Sequence, residues 1–148
     1  MINKTLEILN EGLKYVSPIM EENGFKWVGE KSGNGSGGAF SSGKFVKYNI
    51  IKDKRTLELH FRYSLGLVTY QIGNVKLSHE EYMNYAAGKN KSEYPGFSEN
   101  PLDAFKDLAN DLNNYAQDFL KGSGKEFKLA KEEAEKRNKL SGFQKLYH

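Results

Sequence analysis

The chain has 148 residues, with 22 Lys+Arg against 19 Asp+Glu, and its net charge of +3 is weaker than a dedicated DNA-binding domain usually carries. It contains no cysteine, which excludes disulfides and thiolate metal sites, and no run approaches the ~18 apolar residues of a membrane span. The hydrophobic fraction is 38%, but aromatics at 13% argue against disorder, so a single domain burying roughly 70% of its unfolded surface is expected. The N-terminus lacks the apolar stretch of a secretory signal, and a cytoplasmic protein is the expectation.

Residues 3–23 form the first predicted helix, because Leu6, Leu9, Leu13, Val16 and Met20 recur at spacings of three and four. Pro18 lies inside this pattern and is expected to kink or split it near Ser17. Asn23-Gly24 is a stop signal, and residues 25–28 read as a short first strand that includes the only tryptophan, Trp27, an expected core or edge anchor. Residues 32–38, with Gly33, Gly35 and Gly38, read as the flexible loop of the protein, a hinge or at most a lid. They match GxGxxG, but a strand pattern follows where a phosphate-binding helix would be needed, so a dinucleotide site is rejected.

A second strand is expected from about Ala39 to Ile51, a turn at residues 52–55, and a third strand over 56–64. The third has the strongest period-two pattern in the chain: Leu57, Leu59, Phe61 and Tyr63 alternate with Glu58, His60, Arg62 and Ser64. After Gly66, residues 67–72 form a fourth strand that Gly73-Asn74 closes. Short connections between successive strands imply an antiparallel meander.

Ser78 and Glu81 make a capping box for a helix over about 79–87, ended by Gly88. His79, beside Glu80 and Glu81, looks like a surface histidine. Residues 94–97 (YPGF) read as a type II turn presenting Tyr94 and Phe97. Asn100 and Pro101 open the best helix, whose face Leu102, Phe105, Leu108, Leu112, Tyr115 and Phe119 runs without a break to Lys121-Gly122. A second box, Ser123 with Glu126, opens a mostly solvated last helix to about Leu140, followed by a loose tail. The fold class is therefore α+β: a four-stranded antiparallel meander packed by an N-terminal helix and C-terminal helices.

The concentrated chemistry is the row Glu58, His60 and Arg62. Alternate residues on one strand face stand about 7 Å apart and could line a common surface. In a solvated antiparallel sheet such a row is also what plain surface charge looks like. Metal binding has no support, because the three histidines match neither HExxH nor HxH; nucleophilic catalysis has none either, and no catalytic residue, metal ligand or cofactor is nominated. Lys44, Lys47, Lys52, Lys54 and Arg55, interleaved with Phe45 and Tyr48, resemble single-strand nucleic-acid contacts, but lysines also guard edge strands, so nucleic acid is not the expected partner.

The run LELHFRYSLGLVTY, the turn YPGF and the helix start NPLDAF in a small cysteine-free α+β chain resemble uncharacterised bacterial cytosolic proteins of the immunity-protein type, which neutralise a toxin by binding it. The resemblance covers residues 25–120, implies a binding function and transfers no site residue. The first expectation is a non-enzymatic protein that holds a protein partner by complementary charge through Glu58, His60 and Arg62, with Tyr94 and Phe97 as aromatic anchors. A competing expectation is a small-ligand or hydrolase pocket between residues 33–38 and the strand face, with His60 as base and Arg62 as anion clamp. The third is a weak nucleic-acid binder using the lysines at 44–55.

Overall fold

A computed structural model describes residues 4–35, 38–48, 53–88, 91–96 and 98–146. Helix α1 (Lys4–Glu22) precedes strands β1 (Lys26–Gly35), β2 (Gly38–Tyr48), β3 (Lys54–Phe61), β4 (Leu65–Ile72) and β5 (Val75–Ser78). Helices α2 (His79–Ala86), α3 (Leu102–Tyr115), α4 (Gln117–Leu120) and α5 (Lys125–Leu146) follow. The strands pair in sequence order and every neighbour is antiparallel. The α+β meander of the sequence pattern is present with five strands rather than four.

The extra strand comes from Gly73-Asn74, which is a hairpin turn and not an end. Ile72 pairs with Val75 across it, and Gly73 takes φ +59, the left-handed backbone that a two-residue hairpin turn requires. At four residues, β5 is too short to show its own periodicity beside the helix start that follows.

The helices pack on one face of the sheet. Phe45, Leu57, Leu59, Phe61, Tyr70 and Leu77 point inward from the strands, against Leu9, Leu13 and Val16 of α1 and Phe105, Leu108 and Leu112 of α3. Helix α1 ends where Asn23-Gly24 predicts, with Phe25 N–H donating to Met20 O and Gly24 N–H to Glu21 O. Pro18 does not split it. Pro18 and Lys14 both lie on the exposed side, so the Lys14 carbonyl that loses its helical donor faces water. Helices α1 and α3 meet closely at Gly12, where an added Cβ would stand 2.3 Å from the Phe105 ring.

Residues 32–35 and Gly38, expected in a flexible loop, are paired strand, while residues 36 and 37 lie outside the described residues. β1 runs through to Gly35, which pairs with Gly38, so the expected hinge or lid is a hairpin arm. Cross-strand support compensates for the poor strand propensity of glycine: the Phe40 ring covers Gly33, and Ser32 Oγ bonds Ser41 Oγ at 2.7 Å. Ser41 in turn bonds Thr5 Oγ1 at 2.8 Å, tying the arm to α1. Trp27 lies across Gly43 and edge-on to Phe45, the anchoring role expected of it.

The segment expected to be one helix from residue 100 to 121 is broken at Ala116, which has φ −106 and ψ 22. The break redirects α4 so that its last carbonyls face Arg55. Arg55 was expected in a surface turn; it is 1% exposed and belongs to β3, on the inward side with Leu57 and Leu59. Its Nη1 donates to the carbonyls of Asp118 (3.0 Å) and Phe119 (2.9 Å), and its Nη2 to Gly122 O (2.7 Å) and Asp53 Oδ2 (3.3 Å). Lys47 beside it donates from Nζ to Leu120 O at 2.6 Å. Burial, and then the Arg55 charge, lower the pKa of this ammonium. Asp118 completes the joint from the other side: its carboxylate accepts from Gly124 N–H (3.1 Å) and Phe127 N–H (3.0 Å) at the start of α5. The expected Ser123–Glu126 box is therefore replaced: Ser123 Oγ accepts from Lys125 N–H, while Glu126 accepts from Tyr85 Oη. The Asn100 cap does form, with its Oδ1 accepting from Leu102 N–H at 3.0 Å, as does the Ser78–Glu81 box. Helix α5 continues to Leu146, past the Leu140 end and into the expected loose tail.

Two stability predictions follow from these contacts. Gly12→Ala should destabilise the fold by about 1–3 kcal/mol, because the Phe105 ring must leave its place; urea unfolding of the variant measures this. Arg55→Leu should cost about 3 kcal/mol, since it leaves the buried Phe119 carbonyl and the half-buried Gly122 carbonyl without their guanidinium donors. An unchanged urea midpoint would show that those carbonyls find other partners.

Candidate functional site

With all helices on one face, the other face of the sheet is open. Strand alternation and register arrange it in rows. Lys26, Val46, Thr56, Gln71 and Lys76 form one row across all five strands. Val28, Lys44, Glu58, Thr69 and Ser78 form the next, and Lys31, Ser42, His60 and Leu67 the third. Phe40 follows, and Tyr48 pairs with Lys54 at the opposite end of β2 and β3. Tyr48 is 76% exposed and Leu67 62%, large apolar groups left facing outward.

Glu58 and His60 share this outer face, as the period-two pattern requires, and Arg62, past the end of β3, reaches it through its contact with Phe40. Glu58 is exposed opposite Lys44. His60 stacks on Phe40 with ring centroids 5.4 Å apart and 19° between planes, and the Arg62 guanidinium lies 5.8 Å from the same ring centre. The alternation ends at Phe61, and residues 62–64 bend. Tyr63, expected to point inward, is consequently 82% exposed. The more pronounced clefts, of about 180 to 430 Å³, are lined by other residues, and neither His60 nor Arg62 lines any of them. A shallow notch of about 180 Å³ does lie next to them, bounded by Gly29, Lys31, Ser42, Gly43, Lys44 and Glu58.

The lysine cluster at 44–55 divides. Lys47 and Arg55 turn inward to α4, Lys52 lies outside the described residues, and Lys44 and Lys54 stay on the open face. They stand on β2 and β3, which are interior strands, so guarding a sheet edge is not their role.

Tyr94 is not an exposed anchor. It is 7% exposed, its hydroxyl donates to the Leu65 carbonyl, and its ring stands edge-on to His79 at 5.1 Å. The Tyr94–Pro95 peptide is cis, and Phe97, with the end of the expected turn, lies outside the described residues.

Sequence reasoning missed a buried polar chain beneath this segment. His79 is 3% exposed, not a surface histidine: its Nε2 donates to Asp111 Oδ2 at 2.9 Å, and its Nδ1 bonds the Tyr70 hydroxyl at 2.7 Å. Asp111, fully buried, also accepts from the backbone N–H of Glu93 (2.8 Å) and Tyr94 (2.9 Å). Parity could have revealed both residues. His79 continues the inward alternation of Val75 and Leu77, and Asp111 stands three residues after Leu108 on the apolar stripe of α3. His79 borders a cleft of about 430 Å³, but both of its ring nitrogens are engaged within the protein. The network joins α2 and α3 to the sheet. Among the described residues, no cluster of His, Asp and Glu is placed to hold a metal ion, and no helix is long and apolar enough to cross a membrane.

Burial raises the pKa values of three tyrosines in this region: Tyr70 and Tyr82 well upward, and Tyr94 to about 12. Their folded values exceed the ~10 of an unfolded chain, so the folded state holds its phenolic protons more tightly. That contribution is complete below pH ~10 and is lost as pH rises through the folded values. The urea midpoint should therefore fall progressively above pH ~10, with the buried phenols ionising only as the chain unfolds. A midpoint that stays level between pH 10 and 12 would contradict this assignment.

Set beside protein-family models, curated proteins and solved structures, the chain matches none of them.

Proposed function

We propose that this chain is a non-enzymatic binding protein that holds an anionic macromolecule against its open sheet face. One observation carries the reading. Lys26, Lys31, Lys44, Lys54, Arg62 and Lys76 share that face, and Glu58 is the one carboxylate at its paired positions among the described residues. The whole chain carries only +3, so the positive charge is concentrated on one side. Such a field steers an oppositely charged partner and sets its orientation. Val28, Tyr48 and Leu67, exposed among the cations, supply apolar area that complementary charge alone lacks. An acidic protein surface, as the immunity-like resemblance suggests, is one partner of this chemistry.

Labelled poly-L-glutamate is a suitable probe, read by fluorescence anisotropy at low salt. The double variant Lys44→Glu/Arg62→Glu should bind it about tenfold more weakly or worse. Lys125→Glu/Lys128→Glu, the same change of net charge on exposed positions of α5, should bind nearly as the parent does. Equal weakening by both pairs would mean that net charge matters and the sheet face does not.

A further inference from the structure

We infer that the anionic macromolecule this face takes is single-stranded nucleic acid, with Phe40, His60 and Arg62 as a stacking platform for bases and Lys31 and Lys44 contacting phosphates beside it. The inference rests on the open-face reading and names its partner.

Three features point this way. The first is the platform. Phe40, the His60 imidazole and the Arg62 guanidinium are half-buried flat groups packed against one another on the outer face, with the Phe40 and His60 rings 19° from parallel. Unpaired bases stack on aromatic rings and on guanidinium planes, and every base has a face to offer. The second is the order along β2. Its outward positions run Phe40, Ser42, Lys44, Val46 and Tyr48, so an aromatic stands at each end and a cation in the middle. Successive outward positions are about 7 Å apart, a spacing comparable with one step of an extended nucleotide chain. The third is the notch beside the platform, where Lys31, Ser42 and Lys44 face a space of about 180 Å³. Glu58 borders the same notch opposite Lys44.

A duplex would gain little here. Its bases are already stacked on one another and cannot use the flat side chains of this face. An acidic protein would use the lysines but has no need of stacked planar groups beside them. The edge-protection argument that disfavours nucleic acid on sequence grounds does not hold for Lys44 or Lys54, which lie on interior strands.

The test uses the full chain and a fluorescein-labelled oligo-dT of about 15 nucleotides, titrated by anisotropy over a range of salt, alongside a duplex of equal length and poly-L-glutamate. The single strand should bind more tightly than the duplex. Phe40→Leu and His60→Ala should each weaken oligo-dT binding about tenfold without altering the salt slope. Lys44→Ala should lower that slope by about 0.7. Phe40 also covers Gly33, so near-ultraviolet circular dichroism checks the hairpin in Phe40→Leu; if the hairpin is lost, His60→Ala decides. Equal affinity for single strand and duplex, or no loss in the ring variants, overturns the nucleic-acid assignment while leaving the anionic-partner reading in place. Tighter binding of poly-L-glutamate than of oligo-dT assigns the face to an acidic protein instead. Binding to none of the probes removes both readings.

Discussion

The path of the chain from α4 into α5 depends on one buried guanidinium. Carbonyls at and just after the end of α4 turn toward the core, and an unpaired buried carbonyl costs free energy comparable to a lost hydrogen bond. Arg55 meets three of them and Asp53 at once. A planar, permanently charged fork can do this, whereas a lysine presents only a point charge. The arrangement also explains why the long amphipathic pattern breaks at Ala116. An unbroken helix would continue the line of α3 and carry its terminal carbonyls away from the sheet; the break turns Phe119 and Leu120 into the core and the carbonyls toward Arg55. Asp118 then starts α5 from the same joint.

The chain Tyr70–His79–Asp111 acts in the same way at another corner. It links the sheet to α2, α3 and the segment around Tyr94, and it places the fully buried carboxylate of Asp111 among three donors rather than in apolar surroundings. Histidine, tyrosine and aspartate in hydrogen-bond contact invite a catalytic reading. Here the imidazole gives both nitrogens to protein partners, and Tyr94 closes over it. The polar groups of the inner face are used to hold the layers together.

The outer face follows from that division. Once all helices pack on one side of a five-stranded meander, the other side must meet solvent or a partner. A solvated sheet would mix its charges and keep its apolar groups small. This one is biased in charge, bears exposed Tyr48 and Leu67, and gathers Phe40, His60 and Arg62 into a stack. A recognition surface gives a reason for all three features together.

The sequence alone determined what depends on neighbours along the chain. Period-two alternation made 57–61 a strand with its apolar side inward, the 3.6-residue period placed α1 and α3, and the Ser78 and Asn100 caps sat where local chemistry required them. The same alternation put Glu58 and His60 on one side. Tertiary structure decided which exceptions to the pattern were buried. Arg55, His79 and Asp111 all occupy positions of apolar parity, yet a polar residue there is tolerated only if partners distant in sequence reach it: carbonyls at 118–122 for Arg55, and backbone amides at 93–94 for Asp111. Tyr94 was buried and the glycine arm paired for the same reason. Each depends on groups brought close by packing, and no local pattern in the chain records that proximity.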